Sequence, residues 1–163
     1  MMSKENNKTK SPSDSVVTMT ELVLPHHTNQ LGNLLGGQLM HWIDICAALS
    51  AARHAQNVCV TASVDRIDFH HPIKLGEVVT LNAVVNRAYN TSLEIGVTVY
   101  KESHQSGKRI LSNTAYLTFV SVDESGKPLK VHELVPVTEE EKKRFDEALE
   151  RRKTRLGANK NSG

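Results

Sequence analysis

The stretch GGQLMHWIDICAALSAARH, residues 36–54, decides the fold that this sequence predicts. Its apolar side chains recur with the four-residue spacing of one helix face: Leu39, Ile43, Ala47 and Ala51. Small residues dominate positions 47–52, so a second layer of structure could pack closely against the helix backbone. The stretch therefore predicts one long, largely buried helix that begins after Gly37 and ends near His54.

The segments around this helix have the alternating pattern and turn residues of strands. One strand, 17–24, precedes the helix and is stopped by Pro25. Four more follow it, at 58–69, 78–88, 93–99 and 110–122. Because their connections are short, most of the sheet should be antiparallel. The predicted fold is of the α+β class: an antiparallel five-stranded sheet wrapped around one long central helix, known as the hotdog fold.

The domain organisation follows from the same pass along the chain. Residues 1–15 are polar and are predicted to be a disordered tail, and residues 16–137 form the single hotdog domain. Thr138 and Glu141 have the spacing of a capping box, which predicts a charged C-terminal helix over 138–156. Residues 157–163 are predicted to be a second disordered tail.

Composition excludes several classes of function. The chain has 163 residues, 23% charged, with a formal net charge of +2. Such a chain suits one globular domain, and acids interleave with the basic residues of the C-terminal helix, so no nucleic-acid binding is expected. It has neither an apolar leader nor a bilayer-length stretch, so we expect a cytoplasmic protein without membrane insertion. Cys46 and Cys59 lack metal-ligand spacing, and no metal site is expected.

Asp44 is the anomalous residue of the central helix. It lies among Trp42, Ile43, Ile45 and Cys46, and no Lys or Arg stands three or four positions away. A carboxylate among apolar neighbours must be exposed, partnered from outside the helix, or functional. The sequence leaves two interpretations open: a structural aspartate bonded across an interface, or a catalytic acid.

Gly36 and Gly37 open the helix, where free N–H groups attract negative charge. They form either a plain turn or a site for a developing oxyanion. Asn29 lies in the preceding loop and can hold a water or a carbonyl without titrating, and Asn33 is a second candidate for this role. Asp44 is about 10 Å along the helix from Gly37 at 1.5 Å per residue. If both groups act on one carbonyl, one of them comes from a second subunit, which predicts a dimer with its site at the interface.

The stretch 29–44, together with 60–69 and 72–77, resembles the signature of hotdog-fold acyl-CoA thioesterases. It is similar to bacterial short- and medium-chain enzymes and to the vertebrate cytosolic long-chain hydrolase. The resemblance covers roughly 17–157 and implies hydrolysis of fatty acyl-CoA, and so a role in lipid metabolism. By this resemblance Asp44 matches the catalytic acid, as general base or as nucleophile, and Asn29 matches the catalytic asparagine. Asn33 stands where many bacterial relatives carry an aspartate.

The resemblance also implies an oligomeric assembly and a set of residues that bind coenzyme A. The assembly expected is a homohexamer, a trimer of dimers, with each site formed between two subunits, and no cofactor is expected. Gly36 and Gly37 would lie at the thioester, while Arg66, Thr91 and Ser92 would bind the nucleotide end, although each suits a structural role as well. The alternative function is a non-catalytic acyl-CoA-binding or regulatory module, in which Asp44 and Asn29 hold an interface together.

Overall fold

The computed structural model describes residues 8–160. The chain forms five strands and two long helices, in the order β1 Val17–Leu22, α1 Gly36–Ala55, β2 Val58–Val64, β3 Val78–Ala88, β4 Ser92–Glu102, β5 Arg109–Val122 and α2 Glu139–Lys160. Two short 3-10 helices, Pro12–Ser15 and Pro25–His27, flank β1.

The five strands form one sheet in the order β1-β3-β4-β5-β2, and all four pairings are antiparallel. This confirms the predicted five-stranded antiparallel sheet around a central helix. The second strand in the chain, β2, pairs only with β5 and lies at one edge of the sheet. Its outer side therefore carries backbone groups that a further strand could pair with.

The core lies between α1 and the sheet face that curls around it. Alternate residues of β3 and β4 are fully buried on this face, including Leu81, Ile95 and Val97. On the helix Ala47 and Ala51 have no exposed surface, and their small side chains let the sheet approach the helix backbone. The alanine-rich second half of the predicted helix is thus what allows the sheet to wrap tightly.

Helix α2 packs on the opposite face of the sheet. Side chains alternate between the two faces of a strand, so Glu94 points away from its neighbours Leu93 and Ile95, which face the core. Arg151 of α2 donates two hydrogen bonds to the Glu94 carboxylate, at 3.0 and 2.7 Å. The helix is therefore anchored by a charged pair in addition to the packing of Phe145 and Ala148.

The predicted N-terminal tail is wrong for residues 10–15. The Lys10 ammonium donates to the backbone carbonyls of Arg53 and His54, at 3.0 and 2.8 Å, at the C-terminal end of α1, where the helix dipole favours a cation. The buried Ser15 hydroxyl donates to the Pro12 carbonyl and accepts from the Val85 amide. Residues 1–7 of the predicted tail lie outside the described residues.

Several other predicted boundaries differ from the structure, among them the end of the fourth strand, which is Glu102 rather than 99. Strand β1 ends at Leu22 rather than 24, because Pro25 already begins a 3-10 helix. Strand β2 ends at Val64 rather than 69, after a bulge between Thr61 and Ser63. Helix α2 continues to Lys160, so residues 157–160 are helical instead of belonging to a tail, and residues 161–163 lie outside the described range. The capping box at its start is formed, since the Glu141 carboxylate accepts from the Thr138 amide.

Candidate active site

The N-terminus of α1 presents free backbone donors. The Leu35 carbonyl accepts from the amides of Gln38 and Leu39, both at 3.1 Å. Within residues 8–160, the N–H groups of Gly36 and Gly37 have no acceptor. A Cβ at position 37 would meet no atom within 4 Å, so a ligand can approach this backbone closely. Free amides at the positive end of a helix are suited to binding a developing oxyanion.

Asp44 is half-buried on α1 and is held by one side chain of the neighbouring strand. The Thr61 hydroxyl on β2 donates to Asp44 Oδ1 at 2.7 Å. No ion pair to Asp44 is formed by any residue between 8 and 160. The threonine fixes the orientation of the carboxylate without neutralising its charge, which is the arrangement a general base or a nucleophile requires.

Thr61 is a residue that the sequence interpretation missed. It belongs to the strand motif at 60–64 but carries no signal of its own, because threonine is common in strands. Its position opposite Asp44 depends on how β2 packs beside α1. A hydroxyl on the first strand after a helix with a lone acid is the signal that could have suggested it.

Asn29 is held within its own loop by its side-chain oxygen. Asn29 Oδ1 accepts from the amides of Leu31 and Asn33, at 2.9 and 3.1 Å, and the Asn29 amide donates to the Asn33 carbonyl. Its NH₂ group has no acceptor among the described residues. Asn29 and Leu35 line the same open pocket, so this donor lies beside the start of α1. Asn29 can therefore donate to a bound oxygen.

The two principal candidates do not meet within one chain. Asn29 and Asp44 share no hydrogen bond in the part of the chain that the structure describes, and Asp44 lies about two turns along α1 from Gly37. The structure thus brings Asn29 to Leu35, just before the glycine pair, and Asp44 to Thr61, as two separate halves. Their catalytic roles stay predictions at this point.

The predicted nucleotide-binding residues fall into two separate places. The Arg66 side chain is 86% exposed and pairs with Asp68 at 2.9 Å. The Ser92 hydroxyl accepts from Arg152 Nη1 at 3.4 Å, and the Thr91 carbonyl accepts from the Ser121 amide.

Arg152 was not singled out in the sequence, yet it is the basic residue that faces Ser92. Its guanidinium stacks on the Tyr89 ring at 4.0 Å and has no carboxylate partner among the described residues. Neighbouring basic residues of α2 are paired: Arg151 with Glu94 and Lys153 with Glu150. An oriented guanidinium without a counter-ion is suited to binding a phosphate.

Exposed apolar residues flank the edge strand on both of its faces. Ile45 and Leu49 of α1 are 37% and 50% exposed, and Val58 and Val60 of β2 are 67% and 46% exposed. Val58 and Val60 point away from α1, because side chains alternate along a strand and Thr61 faces α1. These four residues and Val64, which we call the β2 face, flank the edge whose backbone is unpaired. Exposed apolar residues beside an open strand edge are typical of an interface between copies of a chain.

Three other features of the described residues bear on the type of site. No three His, Cys, Asp or Glu side chains between residues 8 and 160 are grouped as metal ligands would be. Neither α1 nor α2 combines the length and the apolar composition needed to cross a bilayer. Both cysteines are free, and burial raises the pKa of the Cys46 thiol to about 11.

Residues 31–108 match the family described as the thioesterase superfamily. Mouse acyl-coenzyme A thioesterase 11 is 49% identical over 140 residues, which cover 86% of this chain and 23% of that protein. The uncharacterized acyl-CoA thioester hydrolase YkhA of Bacillus subtilis is 40% identical over 158 residues, which cover 97% of this chain and 92% of that protein. The chain thus spans under a quarter of the mouse relative and nearly all of the bacterial one.

Solved structures of acyl-CoA hydrolases and thioesterases also match this chain. The acyl-CoA hydrolase from Staphylococcus aureus, in complex with butyryl coenzyme A, coenzyme A and coenzyme A disulfide, matches with a TM-score of 0.86 and 37% identity over 95% of this chain and 96% of that one. Three further matching structures are of alanine variants of this hydrolase, at an asparagine, an aspartate and a threonine. The aspartate lies fifteen positions after the asparagine, and the threonine seventeen positions after the aspartate. An apo-hexameric acyl-CoA thioesterase matches with a TM-score of 0.89 and 38% identity, over 93% of this chain and 97% of that one.

Proposed function

This chain belongs to the acyl-CoA thioesterases of the thioesterase superfamily, and on that premise we propose that it hydrolyses fatty acyl-CoA to a free fatty acid and coenzyme A. The observation that carries the proposal is the pairing of Asp44 with Thr61 at 2.7 Å. The carboxylate is oriented, carries no cationic partner among residues 8–160, and lies beside apolar residues of α1. Such an acid can attack a thioester. Without that role, a charged group in apolar surroundings would only reduce the stability of the fold.

The variants of the Staphylococcus hydrolase support this choice of residues. The asparagine, aspartate and threonine replaced there have the same spacing as Asn29, Asp44 and Thr61 here, fifteen and seventeen positions. We therefore assign Asp44 the role of catalytic acid and Asn29 that of catalytic asparagine. Thr61 is a positioning residue, because it acts through the carboxylate.

In the reaction, Asp44 either takes a proton from the attacking water or attacks the thioester carbon itself. In the first case the water oxygen bonds to the carbonyl carbon. In the second a mixed anhydride forms and is then cleaved by water. In both cases the carbon–sulfur bond breaks, and coenzyme A leaves as a thiolate that takes up a proton. A thiolate is a good leaving group, so we propose that the chain's own residues suffice without a cofactor.

The negative charge that develops on the carbonyl oxygen is stabilised at the start of α1. The free N–H of Gly37 supplies one hydrogen bond, with Gly36 beside it. Asn29 supplies a second through its NH₂ group, since its side-chain oxygen is already held by the loop. Preorganised donors of this kind contribute about 10²–10³ in rate each.

We propose that each site is completed by a second copy of the chain, seated on the β2 face. Pairing of two β2 edges would cover Val58 and Val60 and bring one copy's Asp44 towards the other's Asn29 and Gly37. This burial removes exposed apolar surface and satisfies an open strand edge at the same time. A structural relative is hexameric, and we propose a hexamer here as well, arranged as a trimer of dimers.

We propose that the nucleotide end of coenzyme A binds at the turn before β4. Arg152 is stacked, lacks a counter-ion among the described residues, and faces Ser92, with Thr91 adjacent. Arg66 is a second proposed contact with the nucleotide end. Its ion pair with Asp68 on the surface competes with binding to a phosphate. We also propose a cytoplasmic location, because two unpaired cysteines suit a reducing compartment.

Release of free thiol from a panel of acyl-CoAs tests the proposed function. Hydrolysis by the folded, oligomeric protein is the expected result. An absence of hydrolysis with every acyl-CoA, together with measurable binding of coenzyme A, would instead support a binding module.

A further inference from the structure

We propose that the cleft between the start of α1 and residues 69–73 receives the acyl chain, and that Phe69 sets how long a chain it accepts. The inference deepens the proposed hydrolase function and rests on it. The cleft has a volume of about 340 Å³, within the range of pockets that take small organic ligands.

The cleft opens beside the free amides of α1. Gly36 lies in its wall, and the Phe69 ring comes within 3.7 Å of where a Cβ on Gly36 would stand. Leu39 and Ile73, which are 2% and 4% exposed, form its floor. Phe69 itself is 53% exposed. A half-exposed aromatic ring thus lines the cleft at Gly36, beside the proposed oxyanion position.

The charge of the walls decides which arm of the thioester enters. None of the residues that line this cleft is a lysine or an arginine, whereas the phosphates of coenzyme A need cations. The guanidinium suited to those phosphates is Arg152, beside Ser92 on the other face of the sheet from α1. The thiol arm and the acyl arm leave the carbonyl carbon in different directions, so the apolar cleft receives the acyl arm.

The wall of the cleft at Asn113 is polar and hydrogen-bonded. Asn113 is 5% exposed; its NH₂ donates to the Asp68 carbonyl, and its oxygen accepts from the Ser112 hydroxyl. Asn113 and His71 also line the neighbouring polar cleft, which contains Arg66. A longer chain would have to displace hydrogen-bonded groups that it cannot replace. This wall therefore does not yield to a longer chain, which leaves the half-exposed Phe69 ring as the part of the lining that sets the limit.

The experiment compares Phe69→Ala with Leu156→Ala, a variant of a residue 49% exposed on α2. The kcat/KM is measured for acyl-CoAs from short to long. Removing the ring enlarges the cleft, so the ratio of long-chain to short-chain kcat/KM should rise about ten-fold, the discrimination of one to a few methylenes. Leu156→Ala should keep the wild-type ratio. An unchanged chain-length profile in folded Phe69→Ala would overturn the proposal.

A second measurement separates this proposal from the proposed function. Free fatty acids of the same lengths compete with a fluorescent apolar probe for the wild type and for Phe69→Ala, which requires no hydrolysis. Affinity should depend on chain length, and the optimum should move to longer chains in the variant. If no acyl-CoA is hydrolysed but this shift occurs, the hydrolase proposal fails and the pocket stands. If affinity is the same for both proteins, the pocket proposal fails whatever the turnover.

Discussion

Asp44 differs from the other carboxylates of the chain in what surrounds it. The Thr61 hydroxyl holds one oxygen at 2.7 Å, and the nearby apolar residues Ile45 and Leu49 are themselves exposed. Asp146, by comparison, is an exposed acid on a charged helix. The sequence pointed to Asp44 because a lone acid inside an apolar helix is unusual. Its signal for Thr61 was weak and it carried none for Arg152, because the importance of both depends on which residues of other elements face them.

Replacing Asp44 by Asn keeps the shape of the side chain and removes its negative charge. We expect kcat to fall by about 10²–10⁴, the contribution of a positioned base, while the thermal unfolding midpoint changes little. Asp146→Asn is the matched control and should retain wild-type kcat. Equal kcat for Asp44→Asn and the wild type would remove Asp44 from the chemistry.

His54 is predicted to make stability depend on pH. It is fully buried, its Nε2 lies 2.8 Å from the His132 carbonyl, and burial lowers its pKa below 6.5. Below pH 6.5, His54 takes up a proton in the unfolded chain but not in the folded chain. The free energy of unfolding therefore falls as the pH drops towards the lowered pKa of His54 in the folded state. Denaturant titrations between pH 7 and 5 should show this loss.

His54→Gln keeps a donor for the carbonyl and does not titrate, so its slope of unfolding free energy against pH should be shallower than that of the wild type. The exposed His70, replaced in the same way, should leave the slope unchanged. The explanation fails if both variants show the wild-type slope.

Among the elements, α2 shows how far pattern alone could go. The capping residues and the charge pattern predicted a helix there, but its attachment depends on Glu94, whose side chain is 2% exposed. From the sequence alone, a glutamate between Leu93 and Ile95 is predicted to be an ordinary outward-facing strand residue. The Arg151 guanidinium that covers it also stacks on Tyr116 at 3.6 Å. Only the crossing of α2 over the sheet brings these groups together.

Glu94→Gln should destabilise the fold, because it leaves the Arg151 charge partly buried without its partner. Breaking a buried pair costs about 3–5 kcal/mol, which would appear as a lower denaturant midpoint. The control is Glu147→Gln, which loses an exposed pair with Lys143 and should cost under about 1 kcal/mol. Similar midpoints for the two variants would contradict the anchoring role of Glu94.

At the scale of the whole molecule, the fold was predictable and the exact ends of its elements were not. The four-residue spacing in α1 and the alternation in β4 are local signals that survive in the sequence. The packing of residues 10–15 depends on a lysine reaching the end of α1, more than forty residues away along the chain. The proposal of a second subunit could be reached from the helix rise, on the condition that Asp44 and Gly37 act on one carbonyl, but the β2 face appears only once the strand order is known.

The β2 face yields a prediction about assembly. Leu49 and Leu156 are exposed to the same degree, 50% and 49%, but only Leu49 lies on this face. Leu49→Glu would place a charge in the proposed interface and should give a monomer without thioesterase activity. Leu156→Glu should keep the wild-type assembly and rate. Sedimentation velocity reads out the mass, and an active monomer would contradict the two-subunit site.

The most direct test of the shared site is complementation between two inactive variants. Asp44→Asn and Asn29→Ala chains carrying different tags are co-expressed, and the mixed dimers are isolated. Each mixed dimer would contain one site with both residues intact, so it should recover about half of the wild-type activity, although each variant alone is inactive. Mixed dimers as inactive as the parents would show that Asp44 and Asn29 do not act across the interface between two subunits.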